Sequence, residues 1–434
     1  MACGSCTAVV GVDWGDEGKG RMVDYLTASH DIVVRYQGGG NAGHTVINDK
    51  GKFALHLLPS GVFRKETVNV LGNGVALDPE NLWKEIENLK GKGISITPDN
   101  FKISDRASLL MPWHREQDEL EEKRLGEKQY GSTKQGIAPF YADRSGKKTI
   151  LAGDLLRPDV FASKIQDLMV WKNLELTEVY GALPYTLKDL DEWFQSYCIK
   201  IAPFICDTSE FLREAEKSGR KILFEAQLGA LRDLDFGIAP YTTSSNTTAS
   251  YIPVGIGVAE MVPARVIGVM KAYSTCVGEG PFVCEIHGDE AEALRKAGQE
   301  YGAKTGRPRR VGPFDVVASR YGASLQGATE LAVTKLDVLS GMEKIPVCTA
   351  YLLDGQETKR FPFPSDLDRA TPVYTDLEGW KCDISGIRRW EHLPAAAQEY
   401  VLFLERSTGV PITFVSVGPE RDSLIIRENK EKEV

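Results

Sequence analysis

The chain has 434 residues, of which 42% are hydrophobic and 26% are charged, and its formal net charge is −9. This composition is typical of a globular protein with a large core and excludes a single small module. The negative balance argues against a duplex nucleic-acid partner, because neutralising phosphates requires a basic surface. No apolar run is long enough to span a bilayer or to form the core of a signal peptide, so we expect a cytoplasmic protein.

Short apolar runs in chain order predict the strands of a buried α/β sheet, at 8–12, 31–37, 221–227, 264–273, 331–339 and 412–418. Most are apolar on both faces, which is typical of parallel strands covered by helices on each side. Helical patterns follow the first run near 20–26 and fill 394–408, and the charged segment 115–128 is interpreted as a solvated helix face.

No repeat or Ser/Pro-rich linker divides the chain. We therefore predict one large domain over 1–434, resembling a P-loop NTPase with a modified phosphate loop, with frayed termini at about 1–6 and 427–434. The eight cysteines do not have the spacing of a disulfide framework. Cys3 and Cys6 form a C-x-x-C pair, but nothing completes a zinc site nearby, so we predict free thiols.

The loop "GDEGKG" (15–20) stands between the first predicted strand and the first predicted helix. Backbone N–H groups, the helix N-terminus and the lysine all favour a phosphate. A tight turn with a solvent-facing lysine is the alternative, but three glycines in six residues favour the anion site. Asp13 and Gly20 replace the glycine and the hydroxyl of an ordinary phosphate loop. Asp16 and Glu17 would repel a phosphate unless a cation binds or one of them acts as a base.

A second Gly-rich loop, "QGGGNAGHT" (37–45), directly follows another predicted strand. Its glycines would let the backbone approach a ligand closely, and His44 could donate a proton or a hydrogen bond. A lone histidine is usually structural, but this one lies in a Gly-rich loop and not on an apolar face. We therefore interpret His44 as functional.

Two later segments indicate an anionic purine ligand. "AKTGRPRRVG" (303–312) gathers three arginines, whose planar forks bind carboxylates and phosphates, although a solvated basic loop is the alternative. "TKLD" (334–337) ends an apolar strand. Its lysine stem could cover a purine ring, and its aspartate could accept from N1–H and the 2-amino group of guanine. Together with a phosphate loop, these four residues suggest GTP.

Seven motifs in this order resemble the adenylosuccinate synthetase family: "WGDEGKG", "GGNAGHT", "PYTTSSNTT", "KAYSTCVGEGPF", "TGRPRR", "TKLDVL" and "SVGPER". The resemblance extends from about Ala8 to Arg421. It implies a Mg²⁺-dependent ligase that joins IMP and L-aspartate, using GTP, to give adenylosuccinate, GDP and phosphate through 6-phosphoryl-IMP. This is the first committed step from IMP to AMP. The resemblance also implies a cytoplasmic homodimer.

The resemblance implies a role for each matching residue. Asp16 would take the N1 proton of IMP and bind Mg²⁺ together with the carbonyl of Gly43, while His44 acts as an acid and Lys19 holds phosphate charge. The GTP site would comprise Gly15, Asp16, Glu17, Gly18, Lys19, Gly20, Arg21, Arg309, Lys335, Asp337, Ser416 and Gly418. The IMP site would comprise Asp16, Lys19, Asn41, Ala42, Gly43, His44, Thr133, Gln227, Thr243 and Arg307. The aspartate loop would comprise Ala303, Lys304, Thr305, Gly306, Arg307 and Arg309.

The chain departs from the family pattern at several positions. The family pattern has polar residues at the positions of Val12 and Asp13 and at the position of Gly40. It has Thr at the position of Lys304. "FEAQLG" (224–229) leaves open whether Gln227 or Leu228 occupies the IMP-contacting position. Lys147 aligns with an arginine that reaches the partner subunit's IMP, and lysine keeps that charge but loses the fork.

Two alternative functions are a ligase for another purine nucleotide such as dGMP, and a GTP-binding regulatory protein without ligase activity. Relatives of the first kind are expected to lose the aspartate that addresses N1, and Asp16 is present. The second would not need His44 or the arginine loop, which are both present.

Overall fold

The computed structural model describes residues 3–48, 51–302 and 306–427. In chain order its strands are β1 (Cys3–Gly11), β2 (Ile32–Arg35), β3 (His44–Asn48), β4 (Gly51–Leu55), β5 (Val68–Leu71), β6 (Ala76–Leu77), β7 (Phe101–Ser104), β8 (Ser108–Leu109), β9 (Ile205–Cys206), β10 (Ile222–Glu225), β11 (Pro263–Lys271), β12 (Ser274–Cys276), β13 (Arg310–Gly312), β14 (Phe314–Asp315), β15 (Glu330–Thr334), β16 (Lys344–Leu353), β17 (Gln356–Thr358), β18 (Thr371–Glu378), β19 (Ile412–Ser416) and β20 (Leu424–Ile426).

The α-helices are α1 (Lys19–Leu26), α2 (Pro79–Gly91), α3 (Pro112–Leu125), α4 (Ile137–Ser145), α5 (Pro158–Leu174), α6 (Leu187–Trp193), α7 (Ile199–Ile201), α8 (Thr208–Lys217), α9 (Ile252–Ile256), α10 (Gly288–Gly298), α11 (Val316–Gln326) and α12 (Ala395–Thr408). None of those in the described ranges is long and apolar enough to cross a membrane.

Ten strands form the central sheet in the order β20-β19-β15-β11-β1-β10-β2-β5-β7-β9. Every neighbouring pair is parallel except β19 and β20. The six predicted runs overlap β1, β2, β10, β11, β15 and β19, so the prediction of a mostly parallel α/β sheet is confirmed. A second, four-stranded sheet formed by β14, β16, β17 and β18 was not predicted.

Helices cover both faces of the central sheet. On one face, Met22 and Val23 of α1 pack in a cluster with Val9 of β1. On the other face, Val10 of β1 packs in a cluster with Leu212 of α8 and Ile252 of α9. Successive residues of one strand therefore point into two separate cores, which explains why the predicted strands are apolar on both sides.

The parallel strands β1, β2, β10, β11 and β15 end at the same edge of the sheet. Because the carboxyl ends of parallel strands open a crevice between the loops that follow them, ligands of such sheets bind there. The two Gly-rich motifs and the guanine motif follow β1, β2 and β15, so the sheet gathers them at one edge. The arginine motif follows α10 and reaches the same edge through the contact of Arg309 with Asp16.

The prediction of frayed termini is wrong where it falls on described residues. Strand β1 begins at Cys3, and its register with β11 pairs Cys3 with Pro263. At the other end Arg427 is tied down, since its N–H donates to Thr413 O at 2.8 Å. Met1, Ala2 and 428–434 lie outside the described residues.

The prediction of free thiols is wrong for the first two cysteines. Cys3 and Cys6 are joined by a disulfide within β1. The two lie three positions apart with their Cα atoms 5.3 Å apart, inside the range that a disulfide bridges. The other six cysteines are free, as predicted.

The interpretation of 115–128 as a solvated face is also wrong in part. This segment lies largely in α3, but Asp118 and Glu122 are buried. Asp118 accepts from Ser132 Oγ at 2.7 Å and from Gly136 N at 2.8 Å. Glu122 accepts from three successive N–H groups at 130–132. These carboxylates therefore fix the loop that carries Thr133.

Candidate active site

The phosphate loop leaves β1 at Gly11 and ends where α1 begins at Lys19. Gly18 caps the helix with φ +96°, a left-handed conformation that favours glycine. Glu17 does not face a phosphate. Its buried carboxylate accepts from Gly15 N at 2.8 Å and from Lys19 Nζ at 2.6 Å. Glu17 therefore braces the loop from inside, and Asp16 is left as the carboxylate at its surface.

Gly20 allows a close approach between the phosphate loop and the second Gly-rich loop. A Cβ placed on Gly20 would lie 3.0 Å from the Cβ of His44 and 3.3 Å from Ser60 Oγ. Any side chain here would push against His44. The missing hydroxyl thus has a physical reason that the sequence did not supply.

His44 begins β3 and is held by a buried carboxylate. Its Nδ1 lies 2.5 Å from Glu225 Oε1, and Glu225 also accepts from Ser60 N and Ser60 Oγ at 2.7 and 2.6 Å. Burial opposes ionisation of Glu225, but His44, Arg35 and Ser60 outweigh it and lower the pKa of its carboxyl. With Nδ1 engaged, the other ring nitrogen, Nε2, is buried without a partner among the described residues.

The side chain of Gln227 forms hydrogen bonds with the Gly-rich loop. It is fully buried, and its side-chain amide accepts from Gly39 N at 2.8 Å and donates to Gly39 O at 2.7 Å and Ala42 O at 3.2 Å. The neighbouring Leu228 is partly exposed and has φ +61°, beside Gly15 of the phosphate loop. Of these two residues, Leu228 is therefore the more exposed beside the phosphate loop, and Gln227 is the one that holds the Gly-rich loop.

The arginine loop is closed at its base by a bridge between Tyr301 and Pro308. Arg309 reaches into the site, where its guanidinium lies 2.9 Å from Asp16 and 2.6 Å from Glu300. Burial opposes the charge of Arg309, but these two carboxylates raise the pKa of its guanidinium. Arg307 is half-exposed and pairs with Glu279 at 2.9 Å, and Gly306 is exposed with φ +65°. Ala303, Lys304 and Thr305 lie outside the described residues.

The guanine motif follows β15 at the same edge. Thr334 Oγ1 donates to Glu17 O at 2.6 Å and so ties this strand to the phosphate loop. Lys335, at φ +59°, donates to Glu300 at 2.7 Å. Asp337 is partly buried, which raises the pKa of its carboxyl, and its Oδ1 has no partner among the described residues.

The second guanine segment, which follows β19, meets α1. Arg21 donates to Ser416 Oγ and, at 2.8 Å, to Ser423 O. Burial lowers the pKa of Arg21 to about 10. Ser416 Oγ in turn donates to Gly418 O at 3.1 Å. The side chains of Arg21 and Ser416 thus join the helix that follows the phosphate loop to the proposed base pocket.

The comparisons with known proteins agree with this arrangement. The family model "Adenylosuccinate synthetase" matches residues 8–425. The chain belongs to the adenylosuccinate synthetase family. It is 44% identical to an adenylosuccinate synthetase of Caldanaerobacter subterraneus over 98% of this chain and 100% of that protein. It is 47% identical to adenylosuccinate synthetase 2 of Pseudoalteromonas translucida over 96% and 99%.

A solved structure supports the same assignment. The fully ligated adenylosuccinate synthetase of Plasmodium falciparum superposes with a TM-score of 0.92 and 36% identity, over 98% of this chain and 100% of that one. This family member is therefore a GTP-dependent ligase of purine biosynthesis that joins IMP and aspartate, and the two alternative functions are not favoured.

Four of the predicted site residues of this family member share one feature. They carry buried polar atoms that lack a hydrogen-bond partner within the described residues, namely Asn41 Oδ1, His44 Nε2, Arg309 Nε and Asp337 Oδ1. Buried polar atoms are normally paired, so these four atoms are candidate ligand contacts; eight further atoms of this kind in the described residues lie outside the predicted site.

Other predicted residues sit at the rim of the cleft or hold its loops. Thr133 is exposed on the loop fixed by α3, and Thr243 N donates to Arg232 O at 2.8 Å. Gly43 is exposed and Ala42 partly exposed at the end of the Gly-rich loop.

Sequence reasoning missed Arg232. Its nearly buried guanidinium donates to Cys276 Sγ and to carbonyls at Tyr241, Val277 and Glu279. It therefore joins "PYTTSSNTT" to "KAYSTCVGEGPF". The signal that could have revealed it was the adjacent arginine and aspartate between apolar residues in "GALRDL".

Proposed function

We propose that Asp16 and His44 divide the ligation between them as base and acid. Asp16 takes the proton from N1 of IMP, and the resulting negative charge on the C6 oxygen attacks the γ-phosphorus of GTP, which releases GDP. The amine of aspartate then attacks C6, loses a proton, and displaces phosphate to give adenylosuccinate. His44 donates from Nε2 to the transferred phosphoryl group and stabilises its charge.

The observation that carries this proposal is the pairing of His44 with Glu225. Because Glu225 Oε1 accepts a hydrogen bond from His44 Nδ1 at 2.5 Å, the orientation of the imidazole ring is fixed. Only Nε2 of His44 then remains for a ligand. A carboxylate that orients a histidine and stabilises its cationic form is a recurrent arrangement in acid–base catalysis. Nε2 is buried and has no hydrogen-bond partner in the described part of the chain, so it is the ring nitrogen that we assign to the phosphoryl group.

The site also fits Mg²⁺. Asp16 supplies a carboxylate at the surface of the phosphate loop, and the exposed Gly43 supplies a carbonyl; both are the hard oxygen donors that Mg²⁺ prefers. No group of three or more His, Cys, Asp or Glu in the described residues could hold a metal alone. Mg²⁺ bound through one or two protein oxygens would take its remaining ligands from phosphates and water. When bound, it would neutralise the charge on the transferring phosphoryl group.

Arg309 links the chemistry to the second substrate. Its guanidinium pairs with Asp16 at 2.9 Å and balances the charge of the proposed base. We propose that the carboxylates of the substrate aspartate compete for Arg309, with Arg307 as a second cation for them. Binding of the second substrate would then leave Asp16 to act on IMP and the metal.

The assembly proposed here is a cytoplasmic homodimer in which Lys147 contacts IMP of the partner subunit. Lys147 is exposed with φ +64°, just beyond the end of α4, so its ammonium is available to a neighbour. Its point charge suits a phosphate but lacks the bidentate geometry of arginine. Sedimentation velocity should show a dimer, and Lys147→Ala should raise the KM for IMP without changing that for GTP.

The activity is tested with purified protein, IMP, GTP, Mg²⁺ and aspartate, following adenylosuccinate by ultraviolet absorbance. Asp16→Asn should lower kcat by at least ~10³-fold and retain GTP binding, because it removes a proton acceptor. Asp167→Asn, an exposed carboxylate on α5, is the matched control and should not change kcat. Turnover of dGMP without turnover of IMP would contradict the substrate assignment, and equal loss of GTP binding would make Asp16 structural.

A further inference from the structure

Glu300 is a fully buried carboxylate at the base of the arginine loop. It precedes the Tyr301–Pro308 bridge, and Arg309 N donates to Glu300 O at 2.9 Å. Glu300 and Arg309 therefore stand opposite each other where the two arms of the loop meet. A change in the position of Glu300 would therefore also move Arg309.

The carboxylate of Glu300 gathers three cationic side chains from three different segments. Its oxygens lie 2.6 Å from Arg309, 2.7 Å from Lys335 and 3.0 Å from Lys271. Tyr273 also donates its hydroxyl to it. Burial opposes ionisation of Glu300, but these cations outweigh it and hold the pKa of its carboxyl well below the usual range. Glu300 is therefore an anion whose position is fixed by charge-assisted hydrogen bonds.

These pairs form a continuous line of charges across the site. Lys335, from the guanine motif, pairs with Glu300. Glu300 pairs with Arg309, and Arg309 pairs in turn with Asp16 at 2.9 Å. Burial keeps solvent from screening the central links, so a displacement at one end alters the electrostatics at the other.

We infer that Glu300 is a positioning residue that couples the guanine site to the aspartate loop and to Asp16. The inference rests on the proposed function of these three elements. A guanine ring that packs on the stem of Lys335 holds its ammonium against Glu300. Glu300 then holds Arg309 in the position that binds the substrate aspartate. Occupancy of one site thus changes affinity at the other, and the effect is reciprocal.

The test is a double-mutant cycle read out on the KM for aspartate. Glu300→Gln and Lys335→Gln should each raise this KM about tenfold, although Lys335 lies outside the loop that binds aspartate. The double variant should raise it by about the same factor as either single change and not by their product, because both remove one pathway. In the unaltered enzyme the KM for aspartate should fall as GTP approaches saturation, and in Glu300→Gln it should be independent of GTP.

Glu330→Gln is the matched control, since Glu330 lies at the opposite end of β15 and pairs with Arg265. It should leave the KM for aspartate and its GTP dependence unchanged. Multiplicative effects in the cycle, or an unchanged KM for aspartate in Lys335→Gln, would overturn the inference. If Glu300→Gln does not fold, the KM for aspartate in Lys335→Gln still tests the inference. An unaltered enzyme that fails to form adenylosuccinate would instead overturn the proposed function.

Discussion

Asp13→Asn should stabilise the enzyme at neutral and alkaline pH, because Asp13 is a carboxyl group buried beneath the phosphate loop. Asp13 is 5% exposed and accepts from Ser319 Oγ at 2.7 Å. Burial and the neighbouring Glu17 raise the pKa of Asp13 from 3.8 to about 8. The folded state therefore keeps a proton that the unfolded chain releases. Stability from this source is present below about pH 4 and is lost as the pH rises towards 8.

The size of the effect follows from the two pKa values. Each pH unit between them corresponds to ~1.4 kcal/mol, so the destabilisation reaches at most ~4 kcal/mol at pH 7. The asparagine amide retains an acceptor for Ser319 and carries no charge. For a chain of 434 residues the unfolding entropy is ~0.9 kcal/mol/K, so the melting temperature should rise by up to ~4 °C.

Scanning calorimetry of both proteins between pH 5 and pH 8 measures this difference. The gap in melting temperature should widen with pH and be small at the acidic end. Asp233→Asn removes another buried carboxylate, one that accepts from backbone N–H groups at Asp235, Phe236 and Thr247, so it should lower the melting temperature. Parallel melting curves for Asp13→Asn and the unaltered enzyme across this range would refute the reasoning.

Three further substitutions test individual side chains of the site. Glu225→Gln should lower kcat by about 10²-fold or more, because His44 loses the acceptor that orients it, with little change in the KM for GTP in steady-state assays. Asp337→Asn should raise the KM for GTP by roughly 10²-fold while leaving that for IMP unchanged, since it removes a charged acceptor for guanine. Leu228→Gln should lower the KM for IMP by roughly fivefold by adding a polar contact, and Gln227→Leu should lower the melting temperature by removing buried hydrogen bonds. The reverse pattern would mean that Gln227 is the residue that contacts IMP.

The sequence predicted those features whose signals are local. An apolar run followed by glycines and a helical pattern was enough to place the phosphate loop between β1 and α1. The Gly-rich loop ending at His44 was found in the same way after β2. The edge of the sheet then brings these loops together, because parallel strands share one carboxyl-terminal edge.

Features that depend on contacts between distant segments were not predictable. Glu17 was expected to face the ligand, but its buried partners Gly15 and Lys19 hold it inside the loop. The sequence could not decide whether Gln227 or Leu228 holds the Gly-rich loop. That depends on a hydrogen bond between Gln227 and Gly39, which are 188 residues apart in the sequence. Glu300 gave no signal of its own, since a lone glutamate before a glycine-rich loop is ordinary in a solvent-exposed turn.

The modified phosphate loop is best understood from the space around Gly20. An ordinary loop of this kind places a hydroxyl there for its metal, but such a side chain would lie within about 3 Å of His44. The enzyme proposed here needs that space for an acid beside the transferred phosphoryl group, and Asp16 and the Gly43 carbonyl can take over the metal. Glu17 turned inward keeps a second negative charge away from the phosphates. Under the proposed mechanism, the loss of the hydroxyl, the carboxylate at Asp16 and the closeness of His44 all serve one requirement: to deprotonate a purine and phosphorylate it at the same loop.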